Sequence, residues 1–169
     1  MIPPHPSPTW YIFRHGLATK SKMGYGDRIV TAEVLPEGIP PVQRLGTYMT
    51  RLPYDAGARS EFLRCQQTAA IVTEATGRAF SADPRLNEQV SESFEVVRDR
   101  VRAFVESMRA AGHGHIWVCT HGVVIAALRH LITRGDFQRR DELDYVQPGQ
   151  LLVIRPDNAI EVIRFDELV

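Results

Sequence analysis

The chain has 169 residues, 44% of them apolar, with 20 basic and 20 acidic side chains and a formal net charge of zero. That length and apolar share suit one buried core, and the balanced charge gives no bulk pull toward nucleic acid or an anionic membrane, so neither is expected as a partner and any anion site must be local. Two cysteines are too few for a disulfide scaffold and no apolar run is long enough to span a bilayer, which makes a reducing, cytoplasmic setting the expectation.

Residues 1–8 hold four prolines and read as a flexible leader, distinct from a signal peptide, before a single domain over residues 9–169. Thr9 to Phe13 is an apolar strand that ends in Arg14-His15-Gly16. From Gly16 to Pro41 no period persists. A loop of that length is a lid, a binding loop or the sign of a missed element, and its position directly after a strand-end histidine favours a lid, the sequence leaving open whether Met23 to Pro40 closes on a substrate. Lys20, Lys22 and Arg28 give this loop positive charge, either to attract an anion or simply as solvated side chains.

Val42, Leu45, Met49 and Leu52 recur at helical spacing, with Pro41 in the first turn and Pro53 closing the segment, which predicts a helix over 40–51. A weak extended piece then reaches Ser60. A second helix is expected from Phe62 to Thr76, stopped by Gly77, and a short strand over Ala79 to Ser81. Asp83 to Gln89 is irregular. Ser93 is placed to cap a helix whose apolar stripe, Phe94, Val97, Val101, Phe104, Val105 and Met108, ends at Gly112.

His115 to Cys119 is a second buried strand, delivering His121-Gly122, and Val123 to Ile132 is a helix. Leu151 to Ile154 and Ile160 to Ile163 are strands around a Pro156-Asp157-Asn158 turn. Strands alternating with helices predict an α/β fold, a three-layer α/β/α sandwich with a mostly parallel, mixed sheet. In such sheets sites form beyond the carboxyl ends of the strands, and here two strands each deliver a histidine there. Cys119 and Cys65 read as core packing, as do Trp10 and Trp117, although either tryptophan is also able to edge a pocket. Arg139 to Glu142 fit an oligomer interface or solvent equally. Monomer and homodimer both fit the sequence.

Four segments in order carry a resemblance. Arg14-His15-Gly16, Ser60-Glu61-Phe62-Leu63-Arg64-Cys65-Gln66-Gln67-Thr68-Ala69, Leu86-Asn87-Glu88 and Thr120-His121-Gly122 resemble the motifs of the histidine phosphatase superfamily, whose fold is phosphoglycerate mutase-like. The resemblance implies that His15 is the nucleophile and phosphohistidine site, that Arg14, Arg64 and His121 surround the phosphoryl group with Gly16 close to it, and that Glu88 is the proton donor. Glu92 and Glu95 lie near enough in sequence to compete for the last role. The residue types suit the chemistry on their own account. A neutral imidazole attacks phosphorus and divides one hard displacement into two, arginine forks bind phosphoryl oxygens, and a desolvated carboxylic acid keeps a proton to give away.

The chain departs from the family wording at Leu17, at Glu61 where proline is usual, and at Gln89-Val90, which disfavours a phosphoglycerate-type mutase. Its short length is similar to the small phosphatases of the family. The expected function is therefore a metal-independent phosphatase, a phosphoric monoester hydrolase with no cofactor, acting on a phosphorylated small molecule or a phosphoprotein. The alternative is a weak or inactive relative that binds a phosphorylated ligand. The six histidines show no spacing with Cys or Asp of metal-site kind.

Overall fold

The computed structural model describes residues 7–166. Six strands, β1 (Thr9–Arg14), β2 (Ala56–Arg59), β3 (Ser81–Ala82), β4 (His115–Thr120), β5 (Gln150–Ile154) and β6 (Ile160–Arg164), form one sheet in the order β3-β2-β4-β1-β5-β6. The first four in that order are parallel; β5 is antiparallel to β1, and β6 to β5. The fold is the expected three-layer sandwich with a mixed, mostly parallel sheet.

Side chains alternate across the pleat and so build two cores. From β1, Trp10 and Ile12 join Ile116, Val118, Leu152 and Ile154 beneath helices α3 (Phe94–Ala110) and α4 (Gly122–Arg134). Tyr11 and Phe13 turn the other way, with Trp117, Cys119, Leu151 and Val153, against α1 (Ile39–Met49) and α2 (Leu63–Thr76). Each fully buried Val-, Leu- or Phe-sized side chain in these layers contributes roughly 1.5–3 kcal/mol. Both tryptophans are core residues: Trp10 meets Phe104, and the Trp117 indole donates to the Pro53 carbonyl at 2.9 Å, at the end of the strands away from the two histidines.

The helices obey their sequence signals. The Ser93 hydroxyl accepts from the Val96 amide at 3.2 Å, and α2 and α4 stop at Gly77 and Gly135, whose φ angles of 73° and 75° are the left-handed values glycine tolerates. Several boundaries move. The first helix runs over Ile39–Met49 instead of 40–51, the second begins at Leu63 because Phe62 is still extended, and the fourth begins at Gly122 with His121 as its cap. The extended piece before Ser60 is β2. The short strand lies over Ser81–Ala82 and not Ala79 to Ser81, because only those two residues pair with Ala58 and Arg59. The Gly16 to Pro41 segment contains two short 3-10 turns, Gly26–Arg28 and Pro36–Gly38.

Most of the proposed leader, residues 1–6, lies outside the described residues. Arg139 to Glu142 forms a tight turn in which Asp141 is buried and accepts from Arg134 at 2.5 Å, so part of that segment is structural. Among the described residues, no helix is long and apolar enough to cross a membrane.

Candidate active site

Strand register builds the site. In the parallel β1–β4 pair Arg14 lies opposite Thr120, so the next residue of each chain segment, His15 and His121, emerges side by side at the carboxyl edge, with ring centroids 5.2 Å apart. On the other side of β4, Arg59 lies opposite Cys119, and the Ser60 amide donates to the Cys119 carbonyl. Three adjacent strand ends thus deliver His15, His121 and Ser60 in one row. Ser60 is a site residue that composition and periodicity overlook; its position one residue past a strand, like the two histidines, is the signal that marks it.

His15 is 2% exposed, and its ring orientation is fixed. Nδ1 lies 2.8 Å from the Gly16 carbonyl oxygen, which can only accept, so the proton sits on Nδ1 and the lone pair on Nε2. Arg64 Nε donates to that lone pair at 3.2 Å. Burial, reinforced by the Arg64 charge and more weakly by Arg14, pushes the His15 imidazole down to about 3. It is neutral at any ordinary pH. Gly16 in turn is held by its amide, which donates to the Thr68 hydroxyl at 2.9 Å, and a side chain at position 16 would meet Val34 Cγ1 at 2.9 Å.

His121 is fully buried and is held well below the usual histidine range by desolvation first, then by coupling to the adjacent His15 imidazole and by the Arg64 and Arg14 charges. Its Nε2 lies 2.8 Å from the Ser60 hydroxyl and 3.6 Å from Cys65 Sγ, so Cys65 touches the site as well as filling the core. Two buried side-chain nitrogens have no protein partner among the described residues, His121 Nδ1 and Arg14 Nε, and both belong to this cluster. Buried polar atoms without partners are uncommon in folded proteins, and two in one cluster are consistent with a catalytic role or a bound water or ion there.

Arg64 projects inward from the first turn of α2 and is 1% exposed, unusual for an arginine with no carboxylate partner among the described residues. Its guanidinium carbon lies 4.1 Å from the Tyr25 ring centroid and 5.5 Å from that of Phe62, and Nη1 donates to the Ile29 carbonyl. Arg14 stacks on Tyr145 at 4.9 Å. Tyr25 and Ile29 belong to the long loop, which is fastened over the histidines by the Leu63 amide on the Val30 carbonyl and the Val34 amide on Gln67 Oε1. This packing buries His15. Lys20, by contrast, pairs with Glu37 at 3.2 Å on the surface.

Glu88 reaches the same place from the irregular stretch after β3. Burial raises its carboxyl above the usual range, and this upward push outweighs the opposing hydrogen bonds from the Gln89 and Val123 amides and the more distant Arg14 and Arg64 charges. Asn87 anchors the stretch: its Oδ1 accepts from the Ser60 hydroxyl and the Glu61 amide, and its Nδ2 donates to Glu61 Oε1 at 2.9 Å. Glu61, one of the departures from the family wording, therefore holds the segment that carries Glu88. The two neighbouring acids are elsewhere: Glu92 pairs with Arg100, and Glu95 lies 3.9 Å from Arg139. Among the described residues no group of three or more His, Cys, Asp or Glu is arranged to hold a metal ion.

The cluster thus combines a neutral imidazole with a defined lone pair, two arginines without carboxylate partners among the described residues, a second imidazole and a carboxyl raised above its usual range by desolvation. Among solved structures, a putative alpha-ribazole-5'-P phosphatase from Escherichia coli superposes with a TM-score of 0.78 at 19% identity, over 93% of this chain and 96% of that one. A mycobacterial glucosyl-3-phosphoglycerate phosphatase gives 0.71 at 16% identity over 94% and 98%, and a phosphoglycerate mutase from Bacillus anthracis 0.70 at 15% over 95% and 93%. These likenesses establish the fold. No curated protein matches the sequence. The family model for the histidine phosphatase superfamily (branch 1) matches residues 10–91 and 88–164, nearly the whole chain. The chain belongs to the histidine phosphatase superfamily, membership that supports phosphatase or mutase activity.

Proposed function

We propose that the protein is a metal-independent phosphatase that hydrolyses a phosphomonoester through a phosphohistidine intermediate on His15. The observation that carries this reading is the His15 imidazole, locked with Nδ1 on the Gly16 carbonyl and Nε2 facing Arg64, together with a half-buried Glu88 whose carboxyl desolvation raises above its usual range and which feels the charges of Arg14 and Arg64. A protein that only binds phosphate has no use for a proton donor next to a neutral base.

In the first half-reaction the substrate phosphoryl group draws the Arg64 guanidinium off Nε2 and off the Ile29 carbonyl, exchanging weak internal bonds for charge-assisted ones. Arg14 Nε, which has no protein partner among the described residues, supplies a further donor to the equatorial oxygens. The freed Nε2 lone pair attacks phosphorus, the bond to the leaving oxygen breaks, and Glu88 gives that oxygen its proton. In the second half-reaction the ionised Glu88 takes a proton from water, the water oxygen attacks phosphorus, the P–N bond breaks, and inorganic phosphate leaves with His15 again neutral. Each step uses side chains of this chain alone.

The test is hydrolysis of para-nitrophenyl phosphate with EDTA present, for the parent protein and for His15→Ala. Turnover in the parent that is lost in a folded His15→Ala variant supports the reading. A folded parent without turnover of any phosphomonoester overturns it in favour of a phosphate-binding relative.

A further inference from the structure

We propose that the substrate is a small phosphomonoester whose leaving group is apolar and uncharged, seated in the groove beside Glu88, with Phe62, Val30 and Val90 as its specificity-determining walls. This rests on the phosphatase reading of the same site. The groove has a volume of about 590 Å³, enough for an organic group the size of a substituted ring, and Glu88 lines it, so a leaving oxygen within reach of the acid has its carbon skeleton there. Phe62 joins the two compartments. Its ring lies 5.1 Å from the His121 ring centroid on one side and lines the groove on the other.

Charge separates the two ends. Arg14 and Arg64, at the phosphoryl end, have no carboxylate partner among the described residues, whereas the two arginines of the groove are already neutralised. Arg100 holds both oxygens of Glu92 at 2.9 and 3.0 Å and also the Arg85 carbonyl, and Arg85 holds Asp83 at 2.8 Å. A second phosphate or a carboxylate on the substrate would have to displace one of these paired carboxylates. Val30 and Val90 instead present apolar surface, 47% and 55% exposed, on a groove that also contains Phe62 and Pro84. A dianionic head with an apolar tail fits both ends. A separate cavity within the long loop, lined by Thr19, Arg28 and Glu33 among others, includes none of His15, Arg14, Arg64, Glu88 and His121 in its lining.

The experiment compares 2-phenylethyl phosphate with 3-phosphoglycerate. Both release alcohols, so the comparison reads the groove and not the reactivity of an aryl ester. In the parent, kcat/KM is expected to favour 2-phenylethyl phosphate by at least about tenfold, and Val90→Asp is expected to abolish that preference mainly through KM, with inhibition by inorganic phosphate unchanged. Binding is measured in parallel on His15→Ala, which holds substrate without turnover: 2-phenylethyl phosphate is expected to bind about tenfold tighter than inorganic phosphate, and His15→Ala/Val90→Asp to bind the two alike. Equal kcat/KM for the two esters, or equal affinities for 2-phenylethyl phosphate and inorganic phosphate in His15→Ala, overturns the groove assignment. Selective binding with no turnover in the parent overturns the phosphatase reading and leaves the groove assignment standing.

Discussion

Replacing His15 by asparagine has a consequence for stability with a calculable size. The imidazole falls from an ordinary 6.5 to about 3 in the folded protein, mainly because it is buried and then because Arg64 and Arg14 are close. The unfolded chain therefore binds a proton that the folded chain refuses. A depressed folded value means that stability is fully present above the unfolded value of 6.5 and is lost progressively as the pH falls toward about 3. At about pH 5 the unfolded imidazole gains RT ln(1 + 10^1.5), about 2 kcal/mol, and the folded one almost nothing; the loss grows to about 5 kcal/mol once the pH lies below both values.

Asparagine is the right replacement because its side-chain NH₂ can still donate to the Gly16 carbonyl that His15 Nδ1 now uses. The assay is urea unfolding followed by circular dichroism at about pH 7.5 and about pH 5. The parent is expected to lose about 2 kcal/mol more than His15→Asn between these conditions. His121, held low for the same first reason, remains in both proteins and continues to destabilise them as the pH falls. If His15→Asn loses as much stability as the parent over this interval, the folded His15 is accessible to protons and the argument for a permanently neutral nucleophile fails.

Two further outcomes follow from the geometry. In the proposed mechanism Glu88 must be protonated for leaving-group departure, and its carboxyl is raised by burial, so kcat/KM is expected to fall on the alkaline side of the raised Glu88 value while His15 limits the rate only near its own value of about 3. Glu88→Gln is expected to lose about 10²–10⁴ in rate for alkyl esters and to remove the alkaline limb; an unchanged pH profile assigns the proton to another group. Gly122→Ala places a Cβ 3.1 Å from the Tyr145 ring, which stacks on Arg14, so KM for phosphomonoesters is expected to rise severalfold with a stability loss of about 1–3 kcal/mol, read by steady-state kinetics and urea unfolding. Unchanged KM and unchanged stability would show that Tyr145 moves aside without disturbing Arg14.

The sequence is most informative where local chemistry and sheet geometry coincide. The runs ending in His15 and His121 are apolar on both faces, as buried parallel strands require, and register alone then sets the two rings side by side. Ser93 and Gly77 mark helix ends because capping and left-handed backbone are properties of single residues. Contacts between distant segments are less legible. Tyr25 lies 39 residues before Arg64 and meets it only because the long loop folds back over the strand ends, and Ser60, Asn87 and Glu61 form a hydrogen-bonded unit that no periodicity encodes. Glu88 is separated from Glu92 not by sequence but by Arg100, which claims the latter.

The loop contact also bears on how the site works. In the folded state the Arg64 guanidinium already has three substitutes for a phosphoryl group: the His15 lone pair, the Ile29 carbonyl and the Tyr25 ring. All three are neutral acceptors, and two belong to the loop covering His15. A dianion offers the same guanidinium stronger, charge-assisted bonds, so in the proposed mechanism binding releases the His15 lone pair and loosens one of the loop's attachments in the same event. The attachments that remain, Leu63 to Val30 and Val34 to Gln67, do not involve the arginine. The loop's hold on the site and the availability of the nucleophile are thus coupled through one side chain, and a substrate lacking a phosphoryl charge has no means of breaking that coupling.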